Sequence, residues 1–147
     1  MSAGADAVEI VLTDTAPSAA RDVIALGLTA FNTRMLGPPE ARPLAVLLTR
    51  PGDATVVGGL WARTSFQWLF VELIFVPEEK RRGGLGGDLL ARAEEEARRR
   101  GCRGAWLETL SADACAFYRR KGYEVFGEIA DYPEGNTRSF LVKRWSV

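Results

Sequence analysis

The sequence predicts a mixed α/β domain, with a central sheet and helices in some of the connections between its strands. Short apolar runs of strand length alternate with stretches of helical periodicity, in the order β-α-β-β-β-α-β-α-β-β, which is not that of a doubly wound sheet. The run Trp68–Val76 is apolar except for Glu72, and such a run is typical of a strand buried on both faces in the centre of a sheet. Because 47% of the 147 residues are apolar, we expect residues 1–147 to form one domain.

The first half of the chain is predicted to hold one helix and three strands. Pro17 suits the first position of a helix, and Gly37-Pro38-Pro39 ends that helical region. The predicted elements are a strand at Val8–Leu12, a helix from Pro17 through Ala30, a loop or short helix over residues 32–41, and two strands, Leu44–Thr49 and Thr55–Arg63, joined by a turn at Pro51-Gly52-Asp53.

The second half contains two helices and three further strands after Trp68–Val76. Leu85, Leu89, Ala93 and Ala97 recur at four-residue spacing, and Gly101 stands where a helix C-terminus favours glycine, so an amphipathic helix is predicted between them. The elements after it are a strand at Ala105–Leu110, a helix capped by Ser111 that runs through Lys121 to Gly122, and a hairpin of Tyr123–Ile129 and Arg138–Val142 around Pro133-Glu134-Gly135.

A glycine-rich run, Arg81-Arg82-Gly83-Gly84-Leu85-Gly86-Gly87, separates the apolar strand from the amphipathic helix. Helix N-termini present unpaired N–H groups, and glycines let the backbone approach an anion closely. The run therefore predicts a site for a phosphorylated ligand. It is neither a Walker loop nor a dinucleotide fingerprint, since Gly87 is followed by Asp88-Leu89. The alternative is a turn that only ends a strand and begins a helix.

Composition excludes several classes of function. Lys and Arg together number 19, as do Asp and Glu, so there is no global basic field for nucleic acid. Histidine is absent, which excludes catalytic triads and metal sites that need histidine. Two cysteines are too few for a disulfide framework or a four-cysteine zinc site. No signal pattern opens the chain and no apolar run reaches membrane-spanning length, so we expect a cytoplasmic protein without membrane contact.

Two motifs give the chain a resemblance to the GNAT superfamily of acyl-CoA-dependent N-acyltransferases. The phosphate motif Q/R-x-x-G-x-G/A is met by Arg81, Gly84 and Gly86, after a strand that ends Ile74-Phe75-Val76-Pro77-Glu78. The motif A-x-x-F/L-Y-x-x-x-G-F/Y is met by Ala114, Phe117, Tyr118, Gly122 and Tyr123. Both motifs together, at this spacing, are specific. The resemblance covers nearly the whole chain and implies an acyl-CoA N-acyltransferase fold, a central mixed sheet of six to seven strands flanked by about four helices.

The resemblance also implies where acetyl-CoA binds as co-substrate, without a metal. The backbone of Ile74, Phe75 and Val76 would pair with the pantetheine arm, and the amides of Arg82–Gly87 would hold the pyrophosphate. Ser111 stands where the family often has Asn, so its hydroxyl would either contact the cofactor or serve only as an N-cap. The residues thus assigned to coenzyme A are Ile74, Phe75, Val76, Arg81, Arg82, Gly83, Gly84, Leu85, Gly86, Gly87 and Ser111.

Tyr118 is the candidate general acid, since the resemblance places it near the thioester sulfur. Acyl transfer to an amine needs a neutral amine, a stabilised carbonyl oxygen and a proton for the departing thiolate. A phenol is protonated at neutral pH and can supply that proton. Backbone N–H groups of residues 73–76 are candidate oxyanion donors. The alternative is that Tyr118 is a core aromatic on a helix face.

The general base has two candidates, Glu72 and Glu108. Glu72 is the only charge in Trp68–Val76, and a carboxylate there needs a wet cleft or a partner, such as Arg63. Glu108 lies on the strand before the helix that carries Tyr118. A base acting through water, or bulk solvent alone, stays open.

These observations favour an N-acetyltransferase that acts on a primary amine of a small molecule or peptide, by direct attack in a ternary complex. Acceptor contacts are expected from residues 31–41, the hairpin Asp131–Thr137 and an aromatic wall of Trp61, Phe66 and Trp68. One alternative keeps the fold with a longer acyl donor, and another is a non-catalytic acyl-CoA sensor or regulatory domain. A homodimer is common in the family and is expected here.

Overall fold

The computed structural model describes Gly4 and residues 6–145, and the chain divides into two compact units, residues 1–38 and 39–147. Residues 1–3 and 5, part of the N-terminal segment in which we saw no signal pattern, lie outside the described residues, as do 146–147. Within the part of the chain that is described, no helix is long and apolar enough to cross a membrane.

The first unit contains one helix, α1 (Ser18–Leu36). It extends six residues beyond the predicted end at Ala30 and stops at Gly37, whose φ of 84° is one that side-chain-bearing residues rarely adopt. The predicted strand at Val8–Leu12 was wrong, because these residues join no strand ladder. A short apolar run makes no strand unless a neighbouring backbone pairs with its N–H and C=O groups.

The second unit holds a six-stranded mixed sheet, which confirms the predicted fold class. A 3₁₀ turn at Glu78–Gly83 carries the first part of the glycine-rich run. The strands are β1 (Arg42–Thr49), β2 (Val56–Ser65), β3 (Trp68–Phe75), β4 (Gly104–Thr109), β5 (Glu124–Ile129) and β6 (Arg138–Arg144), and the helices are α2 (Leu85–Arg99) and α3 (Ala112–Arg120).

The strand order is β1-β2-β3-β4-β6-β5, so β6 lies between β4 and the edge strand β5. All neighbouring strands are antiparallel except β3 and β4, which run parallel because α2 connects them. The predicted central position of β3 is confirmed. Its predicted burial on both faces is wrong at the end of the strand, where Leu73 and Phe75 are more than half exposed.

One hydrophobic core unites the sheet with α2 and α3. The stripe predicted for α2 is confirmed, since Leu89, Ala93 and Ala97 are buried against β1 to β4. The largest fully buried side chains are Leu60, Leu69, Leu90, Leu107 and Leu141, one each from β2, β3, α2, β4 and β6. This core fixes the start of the parallel pair β3–β4, which separates further along.

Candidate active site

The parallel strands β3 and β4 pair only at their beginnings and then diverge. The register holds Leu69 opposite Ala105 and Phe70 opposite Trp106, and no later pair follows among the described residues, although the strands continue to Phe75 and Thr109. The β3 backbone that faces β4 after residue 70 is thus not paired with it. The divergence leaves a gap between the ends of two central strands, where ligands of α/β proteins usually bind.

Two cavities open at this gap, of about 470 and 490 Å³. They share the side chains of Ile74, Ala114 and Tyr118. The glycine-side cavity, as we call the larger one, is further lined by Phe75, Val76, Arg81, Gly84, Gly86, Gly87, Asp113 and Phe117. The carboxylate-side cavity is further lined by Val71, Glu72, Leu73, Leu107, Glu108, Thr109, Leu110, Ser111 and Arg138. Tyr118 therefore stands at the junction of two chemically different spaces.

The glycine-rich run shapes the first of these cavities. Gly84, with φ of 77°, turns the chain from the 3₁₀ turn into α2, and a Cβ atom on it would meet nothing within 4 Å. A Cβ on Gly86 would lie 3.5 Å from the Phe117 ring. Among the described residues, no side chain caps the N-terminus of α2. The first N–H groups of this helix and its positive dipole end are thus available to an anion.

Arg81 is tied to the end of β3. Its Nε donates a hydrogen bond to the carbonyl oxygen of Val76, at 2.9 Å, and its guanidinium lies 5.9 Å from the ring centre of Phe75. The Val76 carbonyl is thereby occupied by the chain itself, while Ile74 and Phe75 face the gap. Arg82, Gly83 and Leu85 do not line the glycine-side cavity, unlike the other residues of the run.

Lys121 is a candidate binding residue that sequence reasoning missed. The sequence pattern makes it only the end of the helix α3. In the structure its Nζ atom would lie 3.1 Å from a Cβ atom placed on Gly87, and the same atom lies 5.7 Å from the ring centre of Phe117. A positive charge thus stands beside the first turn of α2. The sequence carried no signal for this, because only the packing of α3 against the sheet brings the end of one helix to the start of another.

Tyr118 is buried, with 4% of its surface exposed, yet it borders both cavities. Its ring contacts Phe117 and Tyr123 edge-on, with centroid distances of 5.3 and 6.0 Å. Burial raises the pKa of Tyr118 to about 12. The phenol hydroxyl makes no hydrogen bond within residues 6–145 and is fully protonated at neutral pH, so it can donate to a ligand in the gap.

Ser111 caps α3, as the sequence predicted. Its Oγ accepts a hydrogen bond from the Ala114 N–H at 3.1 Å, and its own N–H donates to Thr109 Oγ1 at 3.1 Å. Ser111 also lines the carboxylate-side cavity rather than the glycine-side one. The predicted capping hydrogen bond is therefore confirmed, while a contact between Ser111 and a cofactor stays a prediction.

Both candidate bases lie in the carboxylate-side cavity, and each forms an ion pair with an arginine. Glu72 pairs with Arg63 and Glu108 with Arg138, and each carboxylate side chain is 29% exposed. Glu72 has no residue directly opposite it in the register with β2, because that register shifts between Trp61 and Ala62. The hydrogen bond with Glu108 raises the pKa of Arg138. The structure thus brings both carboxylates to the gap, but neither is free of a counter-charge.

The acceptor-side predictions fare unequally. The hairpin Asp131–Thr137 contacts two residues that line the carboxylate-side cavity, since Asn136 Nδ2 donates to the Leu110 carbonyl at 2.9 Å and the Arg138 guanidinium lies 4.8 Å from the ring centre of Tyr132. Trp61, Phe66 and Trp68 line neither cavity at the gap, and the aromatic wall of an acceptor cleft stays a prediction.

The donor chemistry fits an organic anion better than a metal. Among Gly4 and residues 6–145, no group of three or more Cys, Asp or Glu side chains could hold a metal ion. The glycine-side cavity instead has Arg81 and the glycines of the α2 start in its lining, with Lys121 beside Gly87, which suits a phosphate-bearing ligand with an extended arm.

Comparison with known proteins agrees with this geometry. The model of the acetyltransferase (GNAT) family matches residues 19–123. An acetyltransferase of Agrobacterium fabrum is 39% identical over 138 residues, which cover 94% of this chain and all of that protein. The blasticidin-S acetyltransferase of Streptomyces morookaense is 45% identical over 107 residues, 71% of this chain and 79% of that protein.

A solved structure shows the same fold. The crystal structure of a provisionally assigned acetyltransferase from Agrobacterium tumefaciens superposes on this structure with a TM-score of 0.90. The two sequences are 38% identical, and the alignment covers 94% of this chain and all of that one. The divergent parallel strands, the glycine-rich helix start and the relatives agree, and the chain belongs to the acetyltransferase (GNAT) family.

Proposed function

We propose that this protein transfers an acetyl group from acetyl-CoA to a primary amine of a small molecule or peptide, by direct attack in a ternary complex. The observation that carries the proposal is the gap between β3 and β4. It joins an anion-binding cavity to a cavity with two carboxylates, and Tyr118 stands between them. A donor and an acceptor can therefore enter from the two cavities and meet at one tyrosine.

The glycine-side cavity would hold coenzyme A. The first N–H groups of α2, with the side chains of Arg81 and Lys121 nearby, would bind its phosphates. The edge of β3 at Ile74 and Phe75 that faces away from β2 is not paired with β4, and it would bind the pantetheine arm as a strand binds its neighbour. Arg82, Gly83 and Leu85 do not line this cavity, so any contact that they make with coenzyme A would come from their backbone N–H groups at the start of α2.

The chemistry assigns one proton donor and one proton acceptor. The amine nitrogen attacks the thioester carbonyl carbon, a C–N bond forms, and the C–S bond breaks. Tyr118 donates its phenol proton to the departing sulfur, while a carboxylate or a water takes the proton that the amine loses. Backbone N–H groups of residues 73–76 support the oxyanion. The raised pKa of Tyr118 keeps the donor form fully populated.

Glu72 is our choice of base, with Glu108 as its rival. Both are partly exposed and lie in the cavity on the acceptor side of Tyr118. Each would have to exchange its arginine for the incoming ammonium group. Arg63 is 52% exposed and Arg138 22%, so the Glu72 pair reaches solvent more easily and is the weaker of the two.

We further propose that residues 1–147 act as one domain. The family match begins at residue 19 and ends at residue 123, so it includes parts of both compact units. Use of acetyl-CoA fits the cytoplasmic location expected from the sequence. The homodimer expected from the resemblance is tested by light scattering on the purified protein.

The test is a turnover assay of the purified protein with acetyl-CoA and a panel of amines. The panel holds blasticidin S, a polyamine, free amino acids and peptides with a free N-terminus. Release of coenzyme A thiol together with an acetylated product by mass spectrometry is the expected result. Tight binding of acetyl-CoA without thiol release, on any panel member, would support the sensor alternative. Propionyl-CoA and longer donors in parallel reactions decide the acyl group.

A further inference from the structure

A buried carboxylate links α2 to the segment that follows α3. Glu94 of α2 is 7% exposed and accepts two hydrogen bonds, from Tyr123 Oη at 3.0 Å and from Lys143 Nζ of β6 at 2.7 Å. The Lys143 ammonium also lies 5.6 Å from the ring centre of Tyr123. None of these three residues lines either cavity at the gap.

Stability alone does not account for this network. The positions around Glu94 on the same helix face, Leu90, Ala93 and Ala97, are apolar and buried. Replacing a buried ion pair by apolar side chains of similar size is often neutral or stabilising, because desolvation of the charges offsets their attraction. A fully satisfied buried network does, however, hold its members in one arrangement.

The member held next to the candidate site is the ring of Tyr123. It contacts the Tyr118 ring edge-on at a centroid distance of 6.0 Å, and the Tyr123 N–H donates to the Tyr118 carbonyl at 3.0 Å. Tyr118 has no hydroxyl partner of its own within residues 6–145, so the place of its phenol depends on the rings around it. Tyr123 is fixed at its hydroxyl end by Glu94 and fixes Tyr118 in turn.

We propose that Glu94, supported by Lys143, is a positioning residue that orients Tyr123 and thereby holds the Tyr118 phenol at the junction of the two cavities. The inference rests on the proposed function, in which Tyr118 is the general acid. Proton transfer depends steeply on donor placement, and a displacement of about 1 Å can cost roughly a hundredfold in rate. Loss of one hydrogen bond in the network loosens the ring without removing it, so the expected effect is smaller.

The experiment is a double-mutant cycle on turnover. Tyr123→Phe keeps the ring and removes only the bond to Glu94, so kcat should fall roughly three- to tenfold, while KM for acetyl-CoA stays within about twofold. In a Tyr118→Phe background the same change should have no further effect on kcat, since the phenol that it positioned is gone. Glu95→Gln, which alters an exposed carboxylate on the same helix, is the matched control and should leave kcat unchanged.

A second series varies the carboxylate. Glu94→Gln retains an oxygen that can accept from Tyr123, so it should keep clearly more of kcat than Glu94→Leu, and circular dichroism checks that both variants fold. Effects of Tyr123→Phe and Tyr118→Phe that multiply independently would overturn the positioning role while leaving Tyr118 as the acid. Unchanged kcat in Tyr118→Phe alone would overturn the acid assignment, and this inference with it.

Discussion

Lys121 stands beside Gly87, although the two residues belong to the end of α3 and the start of α2. The ammonium nitrogen would lie 3.1 Å from a Cβ atom placed on the glycine. An exposed charge at this place adds to the positive end of the α2 dipole. Gly87 leaves the room that the lysine side chain occupies.

Lys121→Gln should weaken binding of acetyl-CoA by roughly three- to tenfold, because one charge-assisted contact to phosphate is lost. The loss should shrink as salt is raised, since an exposed ion pair is screened. Calorimetry at two ionic strengths measures it. Arg120→Gln is the matched control, because Arg120 is the exposed cation that directly precedes Lys121 and, unlike Lys121, is not among the nearest neighbours of Gly87. Equal effects of the two changes would contradict a local role for Lys121.

Gly86→Asp should abolish measurable acetyl-CoA binding in a folded protein. The new side chain would stand at the first turn of α2, in contact with Phe117, and would place a negative charge where phosphate is expected. Gly127→Asp makes the same change of charge on β5, where an added Cβ atom would meet no other atom within 4 Å. This control variant should bind acetyl-CoA as the parent protein does. Retained binding in the first variant would rule out the proposed anion site.

Glu72→Gln and Glu108→Gln should separate the two candidate bases. A carboxylate that takes a proton from an ammonium matters most below the pKa of the acceptor amine, where little free amine exists. We therefore expect Glu72→Gln to reduce kcat/KM most at low pH and progressively less as the pH rises. A loss that is equal at every pH means that Glu72 only positions the acceptor. A pH-dependent loss in Glu108→Gln alone would make Glu108 the base.

Alkaline pH should destabilise the protein through Tyr118. The pKa of this phenol is about 12 in the folded protein and near 10 when exposed, so between these values the unfolded chain releases a proton that the folded chain keeps. The free energy of unfolding is therefore unaffected below about pH 10 and falls as the pH rises toward 12. Between these pH values, the free energy of unfolding of Tyr118→Phe should fall by roughly 2–3 kcal/mol less than that of the parent protein. Urea unfolding at a series of pH values measures the difference, and parallel curves would contradict it.

Ser111→Ala should separate capping from cofactor contact. Removal of the hydrogen bond to the Ala114 N–H should lower the free energy of unfolding by about 1 kcal/mol. Ser111→Asn restores a capping side chain and should recover this stability. If the hydroxyl serves only as a cap, affinity for acetyl-CoA stays the same in all three proteins. A fall in affinity for Ser111→Ala that exceeds about threefold would show a cofactor contact.

Much of the fold and part of the site could be predicted from local patterns. Three confirmed features are of this kind. The Ser111 cap bonds a residue three positions away, and the buried stripe of α2 and the central place of β3 follow from the spacing of apolar residues. The strand at Val8–Leu12 failed for the complementary reason. A strand needs a partner backbone, and an apolar run of five residues says nothing about whether one is present.

The sequence by itself determined the types of most elements, the family and the glycine-rich helix start. The tertiary structure decided which charges meet. Arg138 reaches Glu108 because β6 inserts between β4 and β5, and Glu72 meets Arg63 because the β2–β3 register sets Arg63 opposite Phe70, two residues before Glu72. The link from Glu94 through Tyr123 to Tyr118 likewise joins α2 to the residues around α3. Such pairs are set by strand order and register, which depend on packing of the whole sheet rather than on any local run of residues.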